Sequence, residues 1–140
     1  GVSTEVKRVK NSIGYVEFTH VVQAKLAYGL VQNRAGKFIA PSAASFQAAA
    51  LSFDWAAAKD FFVIINDSPA EGAYPIAATT FAVMYKEPKV PANSQAAFAF
   101  WRFALDDGEK FASELGYVPL PPVLVQQVKD YWAKTFKGGA

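Results

Sequence analysis

Residues 61–65 read FFVII, and the sequence NDSP follows directly at residues 66–69. Five consecutive apolar residues bounded by turn-forming residues are typical of a β-strand that is covered on both faces. We therefore predict a short buried strand at residues 61–65. The fold class then depends on the segments that surround it.

Extended segments and helices alternate along the rest of the chain. Turn residues separate two of the predicted strands between Asn33 and Gly36. Strands that alternate with helices favour an α/β fold over a helical bundle. The other predicted strands are a buried one at residues 13–16 and further ones at residues 28–31, 37–40 and 76–86.

The predicted helices follow from apolar spacing and from end signals. Ser42 is a candidate N-cap, and Pro122 suits the first turn of a last helix. Asn93 or Ser94 is expected to cap a helix that reaches Asp106. Because this helix is apolar on nearly all sides, we expect it to be buried on more than one side. Further helices are predicted at residues 2–10, 18–26, 43–51, 54–59 and 109–115, with Gly108 as a C′ residue and Gly116 as a stop.

Composition limits the classes of protein that this chain can represent. The chain has 140 residues, of which 52% are hydrophobic and 15% aromatic, enough for one domain or two small lobes. A net charge of +2 without a basic run does not indicate nucleic-acid binding. The absence of cysteine excludes disulfides and thiolate chemistry, and no apolar run approaches membrane-spanning length.

The residues that could support catalysis or metal binding are sparse. His20 is the sole histidine, and we expect it to be an ordinary surface or half-buried helix residue. Asp106 and Asp107 close a helix and are expected to be solvated. No phosphate-cradling glycine motif is present. We therefore predict no catalytic residue, no metal site and no cofactor, although a small phosphatase-like or transferase domain and an autonomous α/β interaction domain remain as alternatives.

Residues 71–81 read EGAYPIAATTF and allow two interpretations. The adjacent hydroxyls of Thr79 and Thr80 could form part of a ligand cradle. They could equally be β-branched residues in a strand, a position that suits them. No partner chemistry for the two hydroxyls is visible in the sequence.

An ordered set of segments resembles the C-terminal half of the phosphate-binding proteins of ABC-type phosphate importers. No single segment is specific, but their order and approximate spacing agree along essentially the whole chain. The segments are NSIGYVE at residues 11–17, KLAY at 25–28, GK at 36–37, PS at 41–42, YPI at 74–76, TTF at 79–81, FW at 100–101, LP at 120–121, and Val128 with Trp132.

The resemblance implies a periplasmic-binding-protein-like α/β fold of type II, here as an incomplete two-lobe fragment. Residues 1–72 would be the C-terminal part of lobe two, residues 73–80 an interlobe crossover, and residues 81–140 the C-terminal part of lobe one. Tyr74, Pro75, Thr79 and Thr80 would then act through hinge geometry rather than by direct ligand contact.

The resemblance also implies a function for the whole protein. Members of the family capture inorganic phosphate in the periplasm, hold it through hydroxyls, backbone amides, an Asp and an Arg, and deliver it to permease subunits in the inner membrane. All of those ligands would precede Gly1, so we expect this chain to be a fragment that binds no phosphate and is not an enzyme. Related proteins bind sulfate or molybdate. We further expect self-association through the exposed lobe-one face.

Overall fold

The computed structural model describes residues 1–137. Within them the chain forms six α-helices, one two-stranded sheet and a short 3₁₀ turn at Lys59–Phe61. The helices are α1 (Val2–Arg8), α2 (Phe18–Gln23), α3 (Ala43–Leu51), α4 (Pro91–Leu105), α5 (Glu109–Glu114) and α6 (Pro122–Thr135), and the strands are β1 (Val31–Gln32) and β2 (Phe38–Ile39).

The predicted turn between Asn33 and Gly36 joins a real but short hairpin. β1 and β2 pair antiparallel, with Val31 opposite Ile39 and Gln32 opposite Phe38. Gly36 has φ +78°, a left-handed conformation in which glycine is favoured because it lacks a Cβ. The strand predicted at residues 37–40 is confirmed over Phe38–Ile39, whereas the one predicted at residues 28–31 overlaps β1 only at Val31.

Helix end signals in the sequence are confirmed at two places. Ser42 caps α3: its hydroxyl accepts a hydrogen bond from the Ser45 amide, and the Ser45 hydroxyl accepts one from the Ser42 amide. This reciprocal pair satisfies amides that the first turn leaves free. Pro122 occupies the first turn of α6, where its missing N–H costs nothing.

Helix α4 begins earlier than the sequence predicted, so the proposed caps Asn93 and Ser94 were wrong. The helix starts at Pro91 after Val90, and Ser94 is buried within it. Gly108 is not a left-handed C′ residue either, because its φ is −73°. It precedes α5 at a close approach instead, where a Cβ would lie 2.8 Å from the Cα of Ala104.

The buried strand predicted at residues 13–16 is absent. Ile13 and Tyr15 are 97% and 90% exposed, and this segment has no ladder partner among the described residues. The physical reason is that a strand is stable only when a neighbour accepts and donates its backbone hydrogen bonds.

Residues 61–65 and 76–86 form no strand within the described region. They lie side by side in an antiparallel sense, since the Asp67 amide donates to the Pro75 carbonyl (2.8 Å) and the rings of Phe62 and Phe81 are 5.3 Å apart. Phe62 and Ile64 are exposed, whereas Ile65 is buried. The predicted cover on both faces is therefore wrong, and only one face of residues 61–65 packs inward.

One small apolar cluster is shared by segments from both sides of residues 73–80. It joins α3 and Trp55 to Ile65, to the start of the 76–86 segment and to α6. Its buried members are Ala49, Ala50, Trp55, Ile65, Ala73, Ala77 and Leu124. The division of the chain into lobe-two and lobe-one parts stays a prediction, and these contacts show that the two parts share a core.

Aromatic contacts join α4 to α6. Phe98 is 1% exposed, and its ring lies 5.4 Å from Trp132 and 5.3 Å from Phe136. Phe100 and Phe103 of α4 are 58% and 48% exposed. The prediction that α4 is buried on more than one side was therefore wrong, because only the side carrying Phe98 is covered by described residues.

The fold class predicted from the sequence is supported in part. The structure is mixed and rich in helix with a small antiparallel sheet. Both element types are therefore present, but residues 1–137 lack the buried sheet that an α/β fold implies. The incomplete two-lobe arrangement stays a prediction.

Replacing Leu124 with Ala tests whether the shared cluster stabilises the chain. Leu124 is 2% exposed, and truncating a buried leucine costs about 2–5 kcal/mol through lost burial and the remaining cavity. Urea unfolding should show a loss of that size in the free energy of unfolding. Val123→Ala, at the exposed neighbouring position, should change it by less than about 0.5 kcal/mol. Equal losses in both variants would contradict the assigned core.

Candidate functional site

The candidate site is the segment 73–80, where the sequence placed four hinge residues. Tyr74, Pro75 and Thr79 are half-buried, whereas Thr80 is exposed. Ala73 and Ala77 of the same segment are buried in the shared apolar cluster. The structure thus attaches the start of the segment firmly and leaves its end near the surface.

Helix α3 holds the first half of the segment. The Tyr74 amide donates to the Ser45 carbonyl (3.2 Å), and the Tyr74 ring meets Phe46 edge to face, with centroids 5.6 Å apart. Pro75 has no amide hydrogen, but its carbonyl accepts the hydrogen bond from Asp67. Backbone bonds on both sides therefore determine the path of the chain through Tyr74 and Pro75.

Asn33 connects the hairpin turn to the residues just before the hinge. It is 6% exposed, and its Nδ2 donates to the carbonyls of Glu71 (2.8 Å) and Ala73 (3.1 Å). Its Oδ1 accepts from the amides of Ala35 and Lys37, both at 3.1 Å. A single side-chain amide thus uses both its donors and both its acceptor positions, which is the full capacity of this group.

An ion pair lies over the Asn33 contact. The Lys37 ammonium is 2.5 Å from a carboxylate oxygen of Glu71, and both side chains are largely exposed. The hydrogen bond from Lys37, and then its charge, hold the pKa of the Glu71 carboxyl below its usual value. Exposed pairs of this kind contribute little to stability, so Asn33 is the stronger tether.

Two serines secure the turn that leads into the segment. Ser68 is 1% exposed, its hydroxyl lies 2.7 Å from that of Ser52, and it accepts from the Ala70 amide at 3.2 Å. The Ser52 hydroxyl also donates to the Ala49 carbonyl at the end of α3. Helix α3 therefore tethers the chain both before and within residues 73–80.

Thr79 differs from the other predicted hinge residues. Its hydroxyl oxygen is buried and has no hydrogen-bond partner within residues 1–137. Burying an unpaired hydroxyl costs free energy, so this part of the segment is held less well than the part around Tyr74. Neither Thr79 nor Thr80 contacts a cluster of polar groups that would form a ligand cradle in the described part of the chain.

Sequence reasoning missed the tethers Asn33, Ser45 and Ser68. Asn33 was recognised only as turn chemistry, since an asparagine that begins a turn is ordinarily exposed. Its reach to Glu71 and Ala73 spans 38 and 40 residues, and no local pattern reveals such a distance.

Curated proteins were compared with the chain along its length. It is 47% identical over 137 residues to the phosphate-binding protein PstS of Xylella fastidiosa strain Temecula1, which covers 98% of this chain and 38% of that protein. The PstS of Pasteurella multocida is 37% identical, with 98% and 40% covered. This chain is similar to a part of PstS. The resemblance found in the sequence segments is thereby confirmed.

A more distant relative shows the same relationship. The PstS of Methanocaldococcus jannaschii is 26% identical over 132 residues, with 86% of this chain and 34% of that protein covered. The chain spans about two fifths of the length of the PstS proteins that it matches, in keeping with their C-terminal portion. No protein-family model matches the chain.

The groups that could carry other chemistry lie apart from the hinge. His20 is exposed on α2, as predicted. Residues 1–137 contain no group of three or more His, Cys, Asp or Glu side chains placed to hold a metal. Of the helices described, none combines the length and apolar character that a membrane crossing requires.

A shallow concavity of about 250 Å³ lies between the end of α4, the start of α5 and α6. The Lys129 ammonium is 2.5 Å from the Asp106 carboxylate within it. Asp106, expected only to be solvated, therefore also links α4 to α6. Within the concavity, the ion pair joins the end of α4 to α6.

Replacing Asn33 with Ala tests the tether before the hinge. The change leaves the buried carbonyl of Ala73 without this donor, and an unsatisfied buried group costs about 1–3 kcal/mol. We expect a loss of that size in the free energy of urea unfolding, together with faster amide hydrogen exchange at residues 70–75. Gln32→Ala removes one exposed hydrogen bond at the adjacent position and serves as the control. Equal effects of the two changes would show that Asn33 is not a tether.

Proposed function

We propose that this chain is part of a solute-binding protein that captures inorganic phosphate and delivers it to an ABC importer. The observation that carries the proposal is the identity of 47% to a phosphate-binding protein over 137 residues. That similarity extends over 98% of the chain, and phosphate-binding proteins from three other species are 37%, 36% and 26% identical to it.

The proposed role of this chain is mechanical. Two lobes that close on a ligand need connecting segments that absorb the motion, and residues 73–80 are proposed as one of these. Tyr74 and Pro75 are tethered by backbone hydrogen bonds, whereas the Thr79 hydroxyl is unpaired among the described residues. We therefore propose that bending is concentrated between Thr79 and Thr80 and that Tyr74 and Pro75 anchor it.

The phosphate ligands are proposed to lie in a part of the protein outside this chain. No residue between 1 and 140 is assigned as a ligand, a catalytic group or a metal ligand. The complete protein is proposed to act in the periplasm without a cofactor, as a binding protein and not an enzyme, with permease subunits as its partners.

A chimera tests this function. The aligned part of the chain would replace its counterpart in Xylella fastidiosa PstS, which leaves the proposed ligand-bearing part unchanged. We expect calorimetry to show one-to-one phosphate binding within about tenfold of the parent affinity, a difference of about 1.4 kcal/mol. The 140-residue chain alone should show no saturable phosphate binding.

Sulfate and molybdate, titrated into the same chimera, are the matched ligand controls. A folded chimera that lost phosphate binding would contradict the proposal. Tighter binding of sulfate or molybdate than of phosphate would show that the protein captures another oxyanion. Tight phosphate binding by the 140-residue chain would show that ligand residues lie within it. Unfolding that does not depend on the concentration of the chain would favour an autonomous interaction domain.

We also propose that the isolated chain associates through residues 76–85. Val83 and Tyr85 are 94% and 83% exposed, and Phe81 is 44% exposed. The segment contains no charge, proline or glycine and has the β-branched and aromatic composition of an unprotected edge strand. A second copy of the chain could pair with it through backbone hydrogen bonds.

Sedimentation of the Val83→Lys variant tests this association. A lysine on an edge strand opposes pairing with another chain, so the variant should be monomeric where the original chain forms dimers or larger species. Val123→Lys places the same charge at an exposed position of α6 and should leave the association unchanged. A monomeric original chain across a wide concentration range would disprove the proposal.

A further inference from the structure

A polar junction joins three separate segments at Asp60. The Lys86 ammonium is 2.5 Å from Asp60 Oδ1, and the Tyr131 hydroxyl donates to the same oxygen at 3.2 Å. Asp60 belongs to the 3₁₀ turn, Lys86 ends the 76–86 segment, and Tyr131 lies on α6. The ion pair closes a loop whose ends are 26 residues apart, and that loop contains residues 73–80.

The backbone beneath this junction is strained. Asp60 and Phe61 are consecutive and have φ of 53° and 58°. Aspartate tolerates the left-handed conformation, but this conformation is rare for a bulky aromatic residue and costs free energy. Such a conformation persists only when surrounding contacts impose it.

The contacts around this turn come from α6, from Trp55 and from the residue pair Lys86 and Lys137. The Phe61 ring lies 5.1 Å from Tyr131 and stacks on buried Trp55 at 6.3 Å. The Lys137 amide donates to the Lys86 carbonyl at 3.1 Å, so the chain just after α6 also holds the backbone of residue 86. The strained turn, the end of the loop and α6 therefore support one another.

At neutral pH, the protonation states of the three side chains at the junction favour the closed contact. The hydrogen bond from Lys86 is the largest cause that holds the pKa of Asp60 below its usual value, and Tyr131 and Lys59 act in the same direction. Burial, and then the hydrogen bond to Asp60, raise the pKa of Tyr131. Asp60 and Lys86 are thus charged and Tyr131 is neutral and able to donate across the physiological range.

We propose that Asp60, Lys86 and Tyr131 form a latch that holds the strained 59–61 turn and closes the 60–86 loop, so that opening the latch releases residues 62–65 and 76–86 together. The closed state has the two ends of the loop in contact. In the open state the turn relaxes and the 76–86 segment separates from residues 61–65. The inference concerns this chain alone and does not depend on phosphate binding.

Hydrogen exchange of the 140-residue chain, measured by mass spectrometry, tests the latch. Lys86→Met keeps most of the side-chain length but removes the charge and therefore breaks the ion pair with Asp60. We expect amide hydrogens to exchange about fivefold faster in two peptides, residues 59–65 and 76–87, which we call the loop-end peptides. Tyr131→Phe keeps the ring against Phe61 and should give a smaller increase in the same two peptides. Circular dichroism would check that each variant retains its helices.

Lys129→Met is the matched control. Lys129 lies on α6 and forms an ion pair of the same length with Asp106, outside the 60–86 loop. The Lys129→Met variant should leave hydrogen exchange in both loop-end peptides unchanged. The double variant Asp60→Asn with Lys86→Met should exchange at the rate of the faster single variant, because both changes remove the same ion pair.

Several results would overturn the latch. These are equal exchange in Lys86→Met and Lys129→Met, faster exchange in only one loop-end peptide, additive effects of Asp60→Asn and Lys86→Met, and a lack of protection at residues 59–65 in the original chain.

Discussion

An extended segment becomes a stable strand only when a neighbour satisfies its backbone hydrogen bonds, and this constraint accounts for most of the structure. The hairpin meets it over residues 31–32 and 38–39, because the Asn33 turn brings its own two strands together. Residues 13–16 and 76–86 have no ladder partner among the described residues, and most of their large apolar side chains stay exposed. Helices need no partner for their own backbone, so six of the predicted helices form, although some of their ends differ. The helix predicted at residues 54–59 was wrong, because that segment is a turn that leads into the 3₁₀ turn at Lys59–Phe61.

Buried polar side chains supply part of the order that a larger sheet would provide. Asn33 and Ser68 are each less than a tenth exposed and bond to backbone or side chains far along the chain. Both converge on the residues that lead into the proposed hinge. Because a buried polar group is costly when unpaired, such contacts restrict the chain path more narrowly than an apolar contact of similar size.

The similarity to PstS gives these tethers a proposed purpose. A hinge works only if its ends are fixed, and here the entry side is held by α3 and Asn33. The exit side is held at Lys86 by Asp60, which in turn accepts a hydrogen bond from Tyr131. The bare apolar face of residues 76–85 is the surface that further chain of a longer protein, or a second copy, would cover.

Local chemistry was enough to predict the features that depend on near neighbours. Ser42 as a cap, Pro122 in a first turn and the Asn33–Gly36 turn all follow from residues within one turn of each other, and the ordered segments were enough for the relationship to PstS. The strand at residues 61–65 was predicted from its composition, but its burial on one face and its lack of a ladder depend on what lies beside it. The reach of Asn33 and the junction at Asp60 likewise join residues 26 to 71 positions apart. Only folding in three dimensions brings such groups together, because hydrogen bonds and ion pairs act over a few ångströms and leave no periodic trace in the sequence.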